Sequence, residues 1–319
     1  MGQVRLGIIG TGRIAGRLAD ELERMEGVRA AWVFNPNLES ARRFGEEKGI
    51  FWSREPLEGL FGRCEAVYIA SPHGTHEEYA RRALWAGRHV LCEKPMAFSR
   101  QAAGELFSLA AQKGAVLMEM LKTAYSPGFR ELARQAQSGK IGRICDVEAC
   151  FSRLTPRGLR EMEDERFGGS LTEFGSYTLF AVLRFMGTDY QDLEFQSIPA
   201  ENGIDLYTKV FFRYQGGMGL SKTGLGVKSE GQLLIAGTKG YILAPSPWWL
   251  AGGFEVRYED AARVERYQFP GQGNLLRYEL EAFLRRVRGG DREEGVSQEE
   301  SQAMAEILGR FLEWRENGG

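Results

Sequence analysis

The first 120 residues alternate between short apolar runs and longer helix-like segments, and this alternation restricts the fold more than any other feature of the sequence. The apolar runs contain few polar positions, as expected for strands that are covered on both faces. They occupy residues 4–9, 28–34, 66–70, 89–92 and 115–118, with helical patterns at 13–24, 38–48, 75–85 and 100–112. Strands that alternate with helices in this way predict a parallel, doubly wound sheet.

Beyond about residue 122 the sequence has a different pattern. A long strand at "ICDVEACFSRL" and an amphipathic helix over 171–185 precede several strands with no helix between them, which predicts an antiparallel sheet. These strands occupy residues 193–198, 206–214, 218–223, 231–236, 254–258 and 264–269, and helices follow at 275–287 and 298–315. A chain of 319 residues suits two domains, and we place them at residues 1–122 and 123–319.

The first predicted strand ends in a glycine loop of the form G-x-G-x-x-A, within "LGIIGTGRIAGRLADEL". Gly10 permits the tight turn, Gly12 lets a pyrophosphate approach the backbone, and Ala15 keeps the following helix close to the sheet. Because the loop joins a strand to a helix N-terminus, it predicts a dinucleotide site, with a ligand-free glycine turn as the alternative. The predicted cofactor loop comprises Gly10, Thr11, Gly12, Arg13, Ile14 and Ala15.

The tip of the second strand, "WVFNPN", bears on the choice between NAD and NADP. An acidic residue there would bind the ribose hydroxyls of NAD, whereas an arginine would accommodate the 2′-phosphate of NADP. Asn35 can bond a hydroxyl without repelling a phosphate, and Arg42 or Arg43 could reach a phosphate, although surface solvation also explains both arginines. The cofactor is therefore NAD or NADP, with a slight preference for NAD because no arginine occupies the tip itself.

Polar residues follow three of the predicted parallel strands, where ligands of such sheets bind. They are Ser71-Pro72-His73, Glu93-Lys94-Pro95 and Lys122. A lysine in this position can donate to a substrate oxygen, and it can act as an acid or base where burial lowers its pKa. The alternative for Glu93-Lys94-Pro95 is a solvated turn, and for Lys122 a plain surface lysine.

The segment "SPHGTHEEYA" opens the helix that follows the first of these strands, at residues 66–70. Thr75 followed by Glu78 predicts a capping box. His73 and His76 are candidates for lining the crevice, His76 as an early residue of the helix. The chain contains three histidines and no third ligand at a suitable spacing, so we predict no metal site.

Three stretches resemble the Gfo/Idh/MocA family, named for glucose–fructose oxidoreductase, inositol dehydrogenase and a rhizopine-catabolism protein: "GIIGTGRIA", "VYIASPHGTHEEYARRALWAGRHVLCEKPMA" and "GGSLTEFGSYTL". The resemblance implies an NAD(P)-binding Rossmann domain and a C-terminal α+β domain with a large open, mainly antiparallel sheet that commonly forms oligomers. It implies redox chemistry on a hydroxyl or carbonyl of a sugar, polyol or related compound, with Lys94 at the reacting oxygen. It further suggests a cis peptide before Pro95.

The family's second motif, usually G-G-G-x-L-x-D-x-G-x-H, corresponds here to residues 168–177 with two departures. Glu173 replaces the aspartate and Tyr177 the histidine. Four positions separate them, so both lie on one helix face and can address one substrate hydroxyl. The alternative is a core aromatic beside a solvated carboxylate. A nearby positive charge lowers the pKa of a phenol, so either Tyr177 or Lys94 could transfer the proton.

The remaining features narrow the functional class. A formal charge of −2 gives no reason to expect nucleic-acid binding, and the N-terminal apolar run is too short to span a membrane. We interpret the four cysteines as free thiols in a reducing compartment and expect a cytoplasmic homodimer or homotetramer.

Trp248 and Trp249 could stack on a sugar, or form a buried aromatic edge or subunit contact. Two alternative functions are a non-catalytic nicotinamide sensor and an oxidoreductase acting on a cyclic, dihydrodiol-like acceptor.

Overall fold

A computed structural model describes residues 2–52, 54–271, 273–290 and 295–318. The chain forms two compact units, Met1–Lys122 with Leu276–Ser301, and Thr123–Leu275 with Gln302–Gly319. The sequence predicts a single division after residue 122. The structure divides the chain there as well, but helix α10 (Leu276–Val287) belongs to the first unit because it packs against helix α1 (Arg13–Leu22).

The first unit is built on a six-stranded sheet in which all neighbouring strands are parallel. Its strands are β1 (Val4–Ile9), β2 (Val28–Phe34), β3 (Phe51–Trp52), β4 (Ala66–Ile69), β5 (His89–Glu93) and β6 (Leu117–Met120). Their order is β3-β2-β1-β4-β5-β6, the doubly wound order in which strand succession reverses between β1 and β4. The predicted parallel sheet is confirmed, and the short β3 was not predicted.

The helices of the first unit show how local sequence sets their ends. They include α2 (Leu38–Lys48), α3 (Leu57–Phe61), α4 (His76–Trp85) and α5 (Arg100–Gln112). Asn37 caps α2 by accepting from the Ser40 N–H, and Gly49 ends that helix in the left-handed region at φ 63°. The bounds of α2 and α5 match those predicted, whereas α3 was missed because five residues carry little periodicity.

The capping box predicted at Thr75 is wrong. Thr75 ends a 3₁₀ turn over His73–Thr75, and its hydroxyl makes no capping hydrogen bond to α4. Its Oγ1 instead lies 2.7 Å from both Ser71 Oγ and the carbonyl oxygen of Pro72. The extra turn before the helix takes the hydroxyl away from the N–H groups that a capping residue would satisfy.

The second unit is built on an eight-stranded, mainly antiparallel sheet, as predicted; the one parallel pair is β7 with β10. Its strands are β7 (Ile144–Ser152), β8 (Asp192–Pro199), β9 (Asp205–Tyr214), β10 (Gly217–Gly224), β11 (Leu233–Gly237), β12 (Gly240–Ala244), β13 (Gly253–Arg257) and β14 (Val264–Gln268). Their order is β14-β13-β12-β11-β7-β10-β9-β8. Strand β12 was not predicted.

Helix α9 (Ser170–Met186) covers one face of this sheet, packing on β7, β9 and β10. The other helices of this part of the chain are α6 (Lys122–Tyr125), α7 (Pro127–Gln137), α8 (Arg160–Glu163) and α11 (Gln298–Glu316). The sequence predicts α9 and α11 and misses α6, α7 and α8. A second 3₁₀ turn spans Trp248–Leu250.

The four cysteines form no disulfide; Cys64, Cys92 and Cys150 are buried and Cys145 is half-buried. Within the described ranges, no cluster of three or more His, Cys, Asp or Glu side chains is arranged to hold a metal ion. No helix in the part of the chain that the structure describes is long and apolar enough to cross a bilayer.

Candidate active site

The loop between β1 and α1 combines one closely packed glycine with one open glycine. Gly10 has φ 105°, and a Cβ atom there would lie 2.5 Å from the carbonyl oxygen of Ala70, just beyond β4. Gly12 is exposed, and a Cβ on it would meet no described atom within 4 Å. Gly12 also precedes α1 and supplies no side-chain cap, and the first N–H groups of a helix have no partner within the helix.

These features fit the pyrophosphate of a dinucleotide, which needs a close approach to the backbone and free N–H donors. Ala15 is buried against the sheet, Thr11 and Ile14 are half-buried, and Arg13 is exposed. The loop lies beside the β1–β4 reversal of strand order, where doubly wound sheets bind their ligands. The structure therefore brings the predicted loop residues to the expected end of the sheet.

Asn35, the first residue after β2, is tied to the glycine loop. Its Nδ2 donates a 2.8 Å hydrogen bond to Thr11 Oγ1, and its Oδ1 accepts one of 2.8 Å from the Asn37 N–H. A carboxamide has two N–H donors and two acceptor positions, so one of each is left for a ribose hydroxyl. Arg42 pairs with Glu39 and Glu46 along α2.

Beyond β4, Ser71 is half-buried and Pro72 exposed, while His73 and His76 are buried. The two imidazole rings meet edge to face with their centroids 5.7 Å apart. His76 Nε2 lies 2.8 Å from the carbonyl oxygen of Ser71, and its Nδ1 lies 2.8 Å from that of Pro95. Both ring nitrogens of His76 therefore contact the main chain at the ends of two adjacent strands.

Glu93, the last residue of β5, accepts a 2.7 Å hydrogen bond from the buried Tyr68 hydroxyl on β4. Lys122 and Glu279 of α10 interact electrostatically with this carboxylate. Burial lowers the pKa of the Lys122 ammonium, whereas Glu279 and Glu93 act to raise it. Burial raises the pKa of the Glu279 carboxyl well above its usual range, and its Oε1 has no hydrogen-bond partner among the described residues.

The peptide before Pro95 is cis, as the resemblance suggested, and Lys94 on its N-terminal side is half-buried. On its C-terminal side, the Met96 N–H donates a 2.9 Å hydrogen bond to Glu119 Oε1 on β6. Glu119 also accepts from the Ser301 hydroxyl. Burial raises the pKa of the Glu119 carboxyl to about 6, although both hydrogen bonds and Lys94 act to lower it.

In the second unit, α9 presents Glu173 and Tyr177 on one face. Between Ser170 and Leu183, these two residues are half-buried and all the remaining residues of the helix are buried. Glu173 Oε2 lies 3.9 Å from a guanidinium nitrogen of Arg160. The structure therefore gives Glu173 and Tyr177 a shared, partly open face, as their spacing predicts.

A buried carboxylate fixes the start of α9. Asp205 Oδ2 accepts from the Ser170 hydroxyl at 2.6 Å and from the Leu171 N–H at 2.8 Å. Arg315 of α11 donates to Asp205 Oδ1 at 3.3 Å and to the carbonyl oxygen of Gly168 at 3.0 Å. Gly169 has φ 111°, and a Cβ there would overlap Asp205 Oδ1, so this glycine leaves the space that the carboxylate occupies.

An aromatic stack lies beside Tyr177. Phe151 stacks on Trp249 with ring centroids 3.6 Å apart and on Phe174 at 4.2 Å, and Tyr177 packs on Phe151 at 5.3 Å. Trp248 is buried, and its Nε1 donates to the carbonyl oxygen of Cys150 at 2.8 Å. Trp248 is therefore a buried aromatic residue, one of the alternatives to sugar stacking, whereas Trp249 is half-buried in the stack.

A family model described as "Oxidoreductase family, NAD-binding Rossmann fold" matches residues 4–121. That range runs from β1 through β6 and includes the glycine loop and Lys94. The chain belongs to the Gfo/Idh/MocA family. It is an NAD(P)-dependent oxidoreductase with a Rossmann cofactor domain, which the sheet order and the open glycine loop independently indicate.

Curated relatives cover most of the chain at moderate identity. A scyllo-inositol 2-dehydrogenase (NADP(+)) of Bacillus subtilis is 28% identical over 295 residues, 89% of this chain and 88% of that protein. A trans-1,2-dihydrobenzene-1,2-diol dehydrogenase of Xenopus laevis is 26% identical over 319 residues, 96% of each chain. A dTDP-3,4-didehydro-2,6-dideoxy-alpha-D-glucose 3-reductase of Actinomadura kijaniata is 34% identical over 195 residues, 59% of this chain and 58% of that one.

Among solved structures, a 3-ketoreductase from Actinomadura kijaniata in complex with NADP and TDP-benzene is similar to this chain. The TM-score is 0.81 at 25% identity, with 96% of each chain covered. Variants of that ketoreductase with a lysine replaced by alanine, and with a tyrosine replaced by phenylalanine, have also been crystallised with NADP and TDP-benzene.

Sequence reasoning missed the residues that support the site: the buried Glu119, Glu279 and Asp205, and the half-buried Arg315. Glu119 lies within an apolar run, and a charged residue inside a predicted buried strand is the one signal that could have identified it. The other three act on segments far from them in sequence. No local pattern reports such contacts.

Proposed function

We propose that this enzyme transfers a hydride between nicotinamide and a hydroxyl-bearing or carbonyl carbon of a sugar, polyol or related polyhydroxylated compound. The observation that carries the substrate class is the face of α9. It leaves one carboxylate and one phenol, Glu173 and Tyr177, partly open on an otherwise buried helix. Such a pair can bond adjacent hydroxyls of one ring. The inositol and dTDP-sugar relatives support the same class.

Nicotinamide, when bound, accepts or supplies the hydride, and the residues of the chain hold the substrate and move the proton. We assign Lys94 to orienting and polarising the reacting oxygen. Either Tyr177 or Lys94 carries the proton, and Glu173 holds a neighbouring hydroxyl. The lysine and the tyrosine replaced in the crystallised ketoreductase are separated by about as many positions as Lys94 and Tyr177, which supports this pairing.

The cofactor residues follow the same reasoning. Gly10, Thr11, Gly12, Arg13, Ile14 and Ala15 form the pyrophosphate loop, and Asn35 bonds the adenosine ribose. Ser71, Pro72, His73, Glu93 and Lys122 line the strand ends on the nicotinamide side. We propose NADP as the preferred form. No acidic side chain follows β2 to repel a 2′-phosphate, Arg43 of α2 is exposed, and the inositol relative is named for NADP(+).

The experiment is a substrate panel followed by nicotinamide absorbance. Purified protein is mixed with NADP⁺ or NAD⁺ and with scyllo-inositol, myo-inositol, D-xylose, D-glucose or trans-1,2-dihydrobenzene-1,2-diol. Reduction of NADP⁺ by a polyol or sugar supports the proposal. Activity confined to the dihydrodiol favours an enzyme for cyclic acceptors, which the Xenopus laevis relative motivates. Cofactor binding without turnover on a wider panel, including carbonyl compounds with NADPH, favours a sensor.

We also propose a homodimer or homotetramer that assembles through the sheet face of the second unit opposite α9. Register places a row of large apolar side chains on that face, and all are half-buried: Phe211, Leu220, Leu234 and Leu243. Met218, on the same face, is 62% exposed. Glu148 of β7 lies between Leu220 and Leu234 in this row, and the apolar side chains on both sides of it form the kind of exposed patch that is typical of an interface. Four free cysteines support a reducing, cytoplasmic location.

A further inference from the structure

One peptide group beside Lys94 is held at both ends by ionisable side chains. The carbonyl oxygen of Pro95 lies 2.8 Å from His76 Nδ1, and the N–H of Met96 donates a 2.9 Å hydrogen bond to Glu119 Oε1. Pro95, Met96, His76 and Glu119 are all buried, while Lys94 is half-buried. The Pro95–Met96 peptide therefore fixes the chain immediately after Lys94.

The contacts of His76 define its protonation state. A carbonyl oxygen can only accept a hydrogen bond, and both ring nitrogens lie 2.8 Å from carbonyl oxygens, those of Pro95 and Ser71. A neutral imidazole has a single N–H, so one contact would set two lone pairs against each other. The doubly protonated ring donates to both oxygens and ties the end of β5 to the end of β4. The ring that faces it is that of His73.

The contacts of Glu119 are strongest with the opposite charge. Its Oε1 accepts from Met96 N–H and its Oε2 accepts from the Ser301 hydroxyl. The ionised carboxylate makes both bonds charge-assisted, whereas protonation of Oε2 reverses the bond to Ser301 and leaves a weaker, neutral acceptor for Met96 N–H at Oε1. Lys94, Glu93 and the Cys92 thiol are the titratable groups that interact with it from β5 and the turn that follows, and Ser301 is its contact from α11.

We propose that His76 and Glu119 are positioning residues for Lys94: they clamp the Pro95–Met96 peptide, and the clamp is strongest while the imidazole is doubly protonated, which adds the bond to Ser71, and the carboxyl is ionised. The proposal rests on the assigned role of Lys94 at the reacting oxygen. Neither side chain needs to touch substrate or cofactor. A neutral imidazole gives up either the bond to Ser71 or the bond to Pro95, and protonation of the carboxyl weakens its bond to Met96. Each change loosens the peptide beside Lys94, and a misplacement of about 1 Å can cost on the order of 100-fold in rate.

Two substitutions at His76 separate the two contacts. The amide nitrogen of asparagine can replace Nδ1, so His76→Asn keeps the donor to Pro95 and loses the one to Ser71. The amide nitrogen of glutamine replaces Nε2, so His76→Gln does the reverse. We expect His76→Gln to lower kcat by about tenfold or more and His76→Asn by about threefold or less, with KM for NADP unchanged in both. A general packing role would affect the two variants alike.

The clamp can be tested without a substrate, on the full chain. Nitrogen-15 NMR of the three histidine rings reports which nitrogens carry protons, and the Met96 amide shift reports the state of Glu119. Acetic anhydride labelling, read by mass spectrometry, measures the reactivity of Lys94. We expect a doubly protonated His76 at pH 7, and a Met96 amide that titrates near pH 6 in the wild type but not in Glu119→Gln. Lys94 labelling should change in His76→Gln and stay unchanged in His76→Asn.

A neutral His76 ring at pH 7, or equal Lys94 labelling in the two His76 variants, overturns the clamp. If His76→Gln fails to fold, the Met96 titration in the isosteric Glu119→Gln still decides. The kinetic role of Lys94 is tested separately. A Lys94→Ala enzyme with full activity contradicts the proposed function, whereas a disabled Lys94→Ala enzyme beside fully active His76→Gln and Glu119→Ala enzymes contradicts the clamp alone.

Discussion

A Cβ atom on Gly10 would lie 2.5 Å from the carbonyl oxygen of Ala70, whereas a Cβ atom on Gly12, two residues later, would meet no described atom within 4 Å. The two glycines of this motif therefore have different structural roles. The first allows the end of β1 to pass the end of β4, and the second keeps a space free. This contrast separates a requirement of the fold from a requirement of the ligand.

Gly12→Val should fold normally and lose the cofactor, because its side chain would fill the space that the pyrophosphate needs. Gly10→Ala is the matched control. It should lower the thermal unfolding temperature, since it combines a backbone clash with φ 105°. NADPH fluorescence titration and thermal unfolding of both variants test the pair. Unchanged NADPH affinity in Gly12→Val would remove the dinucleotide assignment of the loop.

Asp205→Ala should destabilise the second unit by about 3–5 kcal/mol, because it leaves Arg315 and the Leu171 N–H, in the first turn of α9, without their buried partner. Asp192→Ala is the control. Asp192 pairs with Arg213 in an exposed position, so its loss should cost less than about 1 kcal/mol. Urea unfolding followed by tryptophan fluorescence measures both. Equal stabilities of the two variants would mean that Asp205 does not support the start of α9.

Leu234→Arg should convert the oligomer into smaller species, since Leu234 lies in the apolar row of the sheet face opposite α9. Leu154→Arg introduces the same charge at an exposed leucine beyond the end of β7 and should leave the assembly unchanged. Light scattering at micromolar concentration gives the mass of each. A monomeric wild type at that concentration contradicts the proposed interface.

Much of the fold was predictable because residues close together in sequence determine the ends of its helices and strands. The bounds of β1, β2, α2 and α5 follow from apolar runs and from caps such as Asn37 and Gly49. Elements of two to five residues, such as β3 and α3, carry too few positions for a period to show. Thr75 shows the opposite error: the motif was present, but a 3₁₀ turn redirected its hydroxyl.

The candidate site divides in the same way. Gly12, Lys94, Glu173 and Tyr177 occupy motifs or strand ends, so topology alone could propose them. Glu119 supports the turn after Lys94 from 23 positions away, a contact set by tertiary packing and recorded in no local pattern. The residues proposed to touch ligands could thus be named from sequence, whereas the residues that hold them in place could not.

Glu119→Gln should change how stability depends on pH. Burial raises the pKa of this carboxyl from 4.5 in the ordinary state to about 6 in the folded state, so the folded protein binds more protons between these values. Wild-type stability should therefore fall by about 2 kcal/mol relative to Glu119→Gln as pH rises from about 3.5 to about 7. Urea unfolding across this range measures the difference. A pH-independent difference would show that the carboxyl has no raised pKa.

The central claim is that Lys94 acts on the reacting oxygen of a polyhydroxylated substrate. The most direct measurement is kcat of Lys94→Ala, with NADP⁺ and the panel substrate that the wild type oxidises, alongside NADPH affinity and Tyr177→Phe. We predict unchanged NADPH affinity and a kcat lower by about 100- to 10,000-fold. If Tyr177 carries the proton, Tyr177→Phe should match that loss and remove the main pH dependence of kcat. Wild-type turnover by Lys94→Ala would reduce Glu93-Lys94-Pro95 to a solvated turn and contradict the account.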